Sequence, residues 1–211
     1  MPVWPNAWPD VVAVADIDGD GRDDAVVATT RADQGDNPVN DWQLYVFHQT
    51  ADHSLAAPVA IPYSSLVEET FASGGIRKRT AIASADLNGD GIADLVVGRR
   101  TGISIIYGRH DRAYTVKRID NAAGVISGDS FVFVDADRDG RLDIASQNQT
   151  NEQTQWGLTL YFGDLAGNFA RQRFVPTSND GDIELAGGDL NGDGIADLAL
   201  AFGQGLSQRV E

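Results

Sequence analysis

The decapeptide DLNGDGIADL stands at residues 86–95 and again, letter for letter, at 189–198, with close variants DIDGDGRDDA at 16–25 and DADRDGRLDI at 135–144. The first aspartates fall at 16, 86, 135 and 189, so the spacings are 70, 49 and 54 residues. Recurrence near fifty residues marks stacked or radial repeats. Each copy is flanked by short apolar runs. VVAVA (11–15), TAIASA (80–85), SFVFV (130–134) and IELAGG (183–188) precede it; AVVAT (25–29), LVVGR (95–99), LDIAS (142–146) and LALAF (198–202) follow it. These lengths suit strands and are too short for ordinary helices.

Three of the four units continue with a second pair. QLYVFHQ (43–49) leads to APVAI (57–61), ISIIYG (103–108) to YTVKRI (114–119), and LTLYFG (158–163) to FARQRFV (169–175). The unit is a four-stranded antiparallel meander, A-B-C-D, with the acidic loop joining A to B. Only 64–73 offers a weak helical pattern. The expected fold is all-β, a β-propeller of four-stranded antiparallel blades, about three and a half to four of them. The repeats cover approximately 10–61, 80–120, 130–175 and 183–203, within a single domain over 1–211. Four A–B pairs and three C–D pairs make fourteen strands, and GQGLSQRVE after LALAF is too short for another hairpin. A half-blade leaves an open sheet edge. Closure is therefore expected from a second copy, a partner or a longer chain, with a compact four-bladed ring patched by residues 1–9 as the rival.

The acidic loops share the form D-x-[DN]-x-D-G-x-x-D. Side-chain oxygens come from Asp16, Asp18, Asp20 and Asp24 in the first loop, and from Asp86, Asn88, Asp90 and Asp94 in the second. The third offers Asp135, Asp137, Asp139 and Asp143, and the fourth Asp189, Asn191, Asp193 and Asp197. Oxygen ligands at positions 1, 3 and 5, with a backbone carbonyl at 7, are how a tight loop wraps calcium. Position 7 is Arg22, Ile92, Arg141 or Ile195. Gly21, Gly91, Gly140 and Gly194 all stand at position 6, where the chain turns sharply. Position 12 is Val27, Val97, Ser146 or Leu200, so the glutamate of an EF-hand is missing. The ninth-position aspartate is expected to close the shell instead. Asp, Asn and Gly also make ordinary turns. Yet four carboxylates in one turn repel by about 6 kcal/mol in total, at about 1 kcal/mol per pair in a water-like dielectric. That favours a bound cation, and oxygen-only donors favour Ca²⁺, up to four per chain.

These loops, with LYVFHQTADHSLAAPVAIP and LTLYFGDLAGNF, resemble the FG-GAP/VCBS repeats of integrin-α-like β-propellers across about residues 10–203. The resemblance implies calcium in the A–B loops and an extracellular or cell-surface role in adhesion or recognition. It also covers sugar-binding lectins and some polysaccharide-cleaving enzymes, so the fold alone does not give the function.

A net charge of −15 argues against nucleic-acid and anionic-membrane binding. The absence of cysteine excludes disulfides and thiolate chemistry. No apolar run is long enough for membrane insertion, and MPVWPNAWPD lacks the segments of a signal peptide.

In a meander the A–B and C–D turns share one face, and the long segments 30–41, 62–79 and 147–155 fall on the other. Enlarged loops make that face the expected partner surface. Trp42 and Trp156 sit there, either stacking on a sugar or packing between blades. Arg77, Lys78, Arg79, Arg99 and Arg100 either meet an anionic ligand or pair with Glu68 and Glu69. His48, His53 and His110 read as solvated hairpin residues, and no catalytic arrangement stands out. The expected function is a non-catalytic interaction or adhesion module for a protein or glycan ligand. The alternatives are a lectin-like glycan-binding module and an accessory part of a polysaccharide-active enzyme.

Overall fold

The computed structural model describes residues 8–30, 41–70, 80–122, 124–150, 155–177, 182–204 and 207–210. Four antiparallel sheets follow one another along the chain. Sheet I takes β1 (Trp8–Ala15), β2 (Asp24–Thr30), β3 (Gln43–Phe47) and β4 (Val59–Pro62) in that order. Sheet II takes β5 (Ile82–Ala85), β6 (Asp94–Arg99), β7 (Gly102–Ile106) and β8 (Val116–Asp120). Sheet III takes β9 (Gly124–Val134), β10 (Asp143–Thr150), β11 (Trp156–Phe162) and β12 (Arg171–Pro176). Every strand pairs with its sequence neighbour, as a meander requires.

Sheet IV departs from expectation. Beyond β13 (Asp182–Gly188) and β14 (Asp197–Gln204) it holds β15 (Ser207–Val210), which pairs antiparallel with β14 from Ala201↔Val210 to Gln204↔Ser207. The segment expected to be too short for another hairpin pairs back on β14 instead. The described strands therefore number fifteen rather than fourteen.

The one helix among the described residues is a single turn, α1 (Leu66–Glu69), inside the weakly helical stretch. Ser65 caps it. Its hydroxyl accepts from the Glu68 amide at 3.4 Å, an N-cap, and donates to the Glu68 carboxylate at 3.1 Å. No helix among the described residues is long and apolar enough to cross a membrane.

The chain forms two compact units, Met1–Asp86 with Asp90–Arg118, and Leu87–Gly89 with Ile119–Glu211. In the first, Val26, Leu44 and Val46 of sheet I and Leu95, Val97 and Ile106 of sheet II belong to one buried cluster. β6 and β7 are buried at every position, because inner strands are covered on both faces. Near-continuous LVV and ISII runs encode that better than strict alternation would. In the second unit Ile144, Leu158, Tyr161 and Phe169 are fully or almost fully buried.

Candidate metal centre

Backbone geometry repeats in all four acidic loops. In each, the first aspartate accepts the amides of positions 5 and 6. For Asp16 these come from Asp20 at 3.1 Å and Gly21 at 2.8 Å; for Asp86, from Asp90 at 3.2 Å and Gly91 at 2.9 Å. Asp135 accepts from Asp139 and Gly140, and Asp189 from Asp193 and Gly194. The position-5 carboxylate then accepts the position-7 amide, Arg22, Ile92, Arg141 or Ile195, at 2.9–3.0 Å. Such short side-chain-to-backbone bonds bend the chain around the carboxylates. At position 6, φ is +84° in Gly21, Gly91 and Gly140 and +82° in Gly194, a left-handed conformation that favours glycine. A Cβ there would touch nothing within 4 Å, so conformation and not space demands glycine.

Carboxylates converge in the first and third loops. Oxygens of Asp16, Asp18 and Asp20 lie within 4.8 Å of one another, as do oxygens of Asp135, Asp137 and Asp143. Among the described residues no such trio of acidic groups forms in the second or fourth loop, where position 3 is Asn88 or Asn191. An oxygen-only trio beside a turn of backbone fits a hard cation such as calcium. Asp16, Asp18 and Asp20, and Asp135, Asp137 and Asp143, are the side chains that would hold it. The ion would supply the positive charge that lets these carboxylates share one turn.

Arginines meet the same carboxylates. Arg22 pairs with Asp20, Arg171 pairs with Asp137, and Arg141 pairs with Asp139 at 2.5 Å. Arg112 reaches Asp18 at 2.5 Å. The environments of the loop carboxyls also differ. Burial pushes Asp143 above the usual carboxylate range, against the amides of Gly163 and Ala136. The Gly194 amide, helped by those of Gly192 and Asp193, holds the exposed Asp189 below it.

The ninth-position aspartate does a second job. Asp24, Asp94 and Asp143 are fully buried. Each accepts an amide from the end of strand C of its own sheet: Gln49 at 2.9 Å, Gly108 at 2.8 Å and Gly163 at 2.8 Å. Asp143 also accepts from Ala136 at 2.9 Å, and Asp197 accepts from Leu190 at 3.0 Å, which draws the loop onto the start of strand B. Gly108 and Gly163 make the approach possible. A Cβ would fall 2.4 Å from the Ala93 carbonyl oxygen or 2.6 Å from that of Leu142. The aromatic-glycine pair closing IIYG and LYFG is the sequence signal for this latch.

His48 is not the solvated hairpin residue that the sequence suggested. It is 2% exposed, with Nδ1 2.9 Å from Asp24 and 3.2 Å from Asp18. Tyr114 stacks on it at 5.9 Å between ring centroids, and burial with the Asp18 and Asp24 charges raises the Tyr114 phenol. Asp18, Asp24 and His48 thus form a third convergent group, all buried. His53 and His110 are exposed, and His110 Nδ1 lies 2.7 Å from the Asp18 carbonyl oxygen.

On the expected partner surface, Trp42 is 3% exposed and belongs to the buried cluster of the first unit. Trp156 is half-buried. Arg99 is buried and pairs with Glu68 at 3.4 Å, while the Arg100 amide donates to Glu69. Arg77, Lys78 and Arg79 lie outside the described residues, as do most of the long segments, 31–40, 71–79 and 151–154.

Comparison with known proteins accords with this geometry. A structure concerned with recognition of non-reducing terminal N-acetylglucosamine by an Agrocybe aegerita lectin is similar over 97% of this chain and 52% of that one. Its TM-score is 0.58 and its identity 18%. The chain thus spans about half the length of that lectin, and the likeness is one of fold. A Photorhabdus luminescens Tc holotoxin pore is similar over 98% of this chain and 9% of that one, at a TM-score of 0.46 and 18% identity. No curated protein matches. A family model described as FG-GAP-like repeat matches residues 16–97 and 86–146, more than half of the chain and three of its acidic loops. The chain belongs to the FG-GAP-like repeat family.

Proposed function

We propose that the chain is a calcium-stiffened, lectin-like module that binds glycans. The observation carrying this reading is the fold likeness of 97% of the chain to a lectin described as recognising terminal N-acetylglucosamine. Calcium enters through the acidic loops, whose converging oxygens suit a hard cation. Its role is structural, because the ninth-position aspartate ties three of the loops to the end of strand C. Binding is without catalysis, and the module works outside the cell, where loops with dissociation constants of about 10⁻⁴–10⁻³ M operate.

A glycan array probed with the purified chain in calcium tests the reading. Retention on a defined set of saccharides, those ending in N-acetylglucosamine included, is expected. No retention on any saccharide, with the protein folded, contradicts it and returns the chain to a protein-binding or adhesion role.

A further inference from the structure

We propose that the cleft between the start of β3 and the end of β4 is a subsite for one neutral sugar ring. This rests on the glycan-binding reading above. Asp41, Trp42 and Gln43 line it from one side, and Pro62, Ser64, Ser65 and Leu66 from the other, around about 180 Å³. Drug-sized ligands occupy roughly 300–1,000 Å³, so this space suits one small ring and not an oligosaccharide. Register fixes its place. Gln43 pairs with Pro62, whereas Ala25 pairs with Phe47 beside the acidic loop. The cleft therefore lies at the end of sheet I away from the calcium loop, on the side where recognition was expected.

The lining carries the chemistry a sugar needs. Asp41 is 2% exposed and Gln43 7% exposed, so two polar residues line the cleft within a low-dielectric wall. Hydrogen bonds from ligand hydroxyls to a carboxylate in such a wall are about twice as strong as neutral ones. The Gln43 amide is oriented by its bond to the Asp41 carbonyl at 3.2 Å. Across the cleft, the Ser64 and Ser65 hydroxyls are held by Glu69 and Glu68 at 2.5 and 3.1 Å. Leu66 and Pro62 add apolar surface for the carbon face of a ring, beside the buried Trp42.

Trp42 adopts φ +53°, a left-handed conformation that is costly for a residue with a Cβ. The surrounding structure holds it there, with the Trp42 carbonyl accepting the Tyr63 amide at 3.0 Å. Strain of this kind concentrates at ligand clamps. Charge then sets the ligand class. Asp41 brings a carboxylate to this wall, and after burial its charge raises the neighbouring Tyr45 phenol. A uronate or sulfated sugar would bring a second negative charge against it. The ligand is a neutral hexose or N-acetylhexosamine end group.

The test is a titration of the full chain in calcium, followed through the tryptophan indole NH resonances, with Trp42 assigned by its loss in Trp42→Phe. The probes are glucose, galactose, N-acetylglucosamine and glucuronate. At least one neutral sugar should shift the Trp42 signal while glucuronate leaves it unmoved. Asp41→Asn should weaken that binding about tenfold, as loss of a hydrogen bond to a charged group does. Leu66→Trp, which fills the cleft and leaves Asp41 in the sequence, should abolish it, with an unchanged calcium titration as the check on folding. If the array retains glycans but the Trp42 signal is silent and both variants bind like wild type, the cleft is overturned while the glycan reading stands. If glucuronate binds as well as the neutral sugars, the assigned ligand class is overturned. If no saccharide binds in either assay, both proposals fall.

Discussion

At position 4 of the acidic loop, Gly19, Gly89 and Gly192 have φ of +69°, +77° and +78°, and Arg138 takes +63° in the third loop. A Cβ at Gly89 would touch nothing within 4 Å, so Gly89→Ala should cost only the backbone penalty, about 1–2 kcal/mol. At Gly19 the Cβ would fall 2.5 Å from His110 Cε1 and displace the ring from the Asp18 carbonyl. Gly19→Ala should therefore destabilise clearly more than Gly89→Ala in urea unfolding; equal losses would contradict the packing of His110 on the first loop. Ligand positions are tested separately. Asp90→Ala removes a position-5 carboxylate and should abolish calcium binding by the second loop. Asp23 stands at position 8 and is not among the ligands, so Asp23→Ala should leave calcium titrations unchanged. Similar losses in the two variants would show that the ligand positions are misassigned.

Strands A to D of the first three sheets were legible because short apolar runs, turn residues and acidic loops recur in a fixed order. Contacts that depend on register were not. Ala25 pairs with Phe47, which sets Asp24 against His48, 24 residues away. In linear sequence His48 is only a histidine after a strand, and its burial appears once the hairpin is aligned. Trp42 likewise reads as a loop aromatic until β3 places it in the buried cluster. The spacing gave the aspartates of the loops, but the latch made by the ninth one depends on glycines at the end of strand C. That latch predicts a calcium-independent effect. Asp143→Ala strands the buried ends of two bonds, from Gly163 and Ala136, at about 1–3 kcal/mol for each donor left unsatisfied. Its melting temperature should fall even in excess chelator. An unchanged value there would mean that Asp143 acts only through calcium.

For the whole molecule, the similar lectin is about twice as long as this chain. Val12 and Val14, on edge strand β1, are 60% and 62% exposed, an apolar strip that a second copy can cover. Multi-angle light scattering after size exclusion should then find a dimer that Val12→Asp disperses. A wild-type chain eluting as a monodisperse 22.6 kDa monomer would reject pairing between copies. Calcium bears on the account most directly. Ions bound only by the folded loops stabilise the fold by mass action. The decisive measurement is titration calorimetry of thoroughly chelated protein with calcium, paired with thermal unfolding of the same samples. The account predicts up to four ions per chain, binding with dissociation constants of about 10⁻⁴–10⁻³ M, and a melting temperature that climbs with calcium concentration. No heat of binding and no thermal shift at millimolar calcium would contradict it.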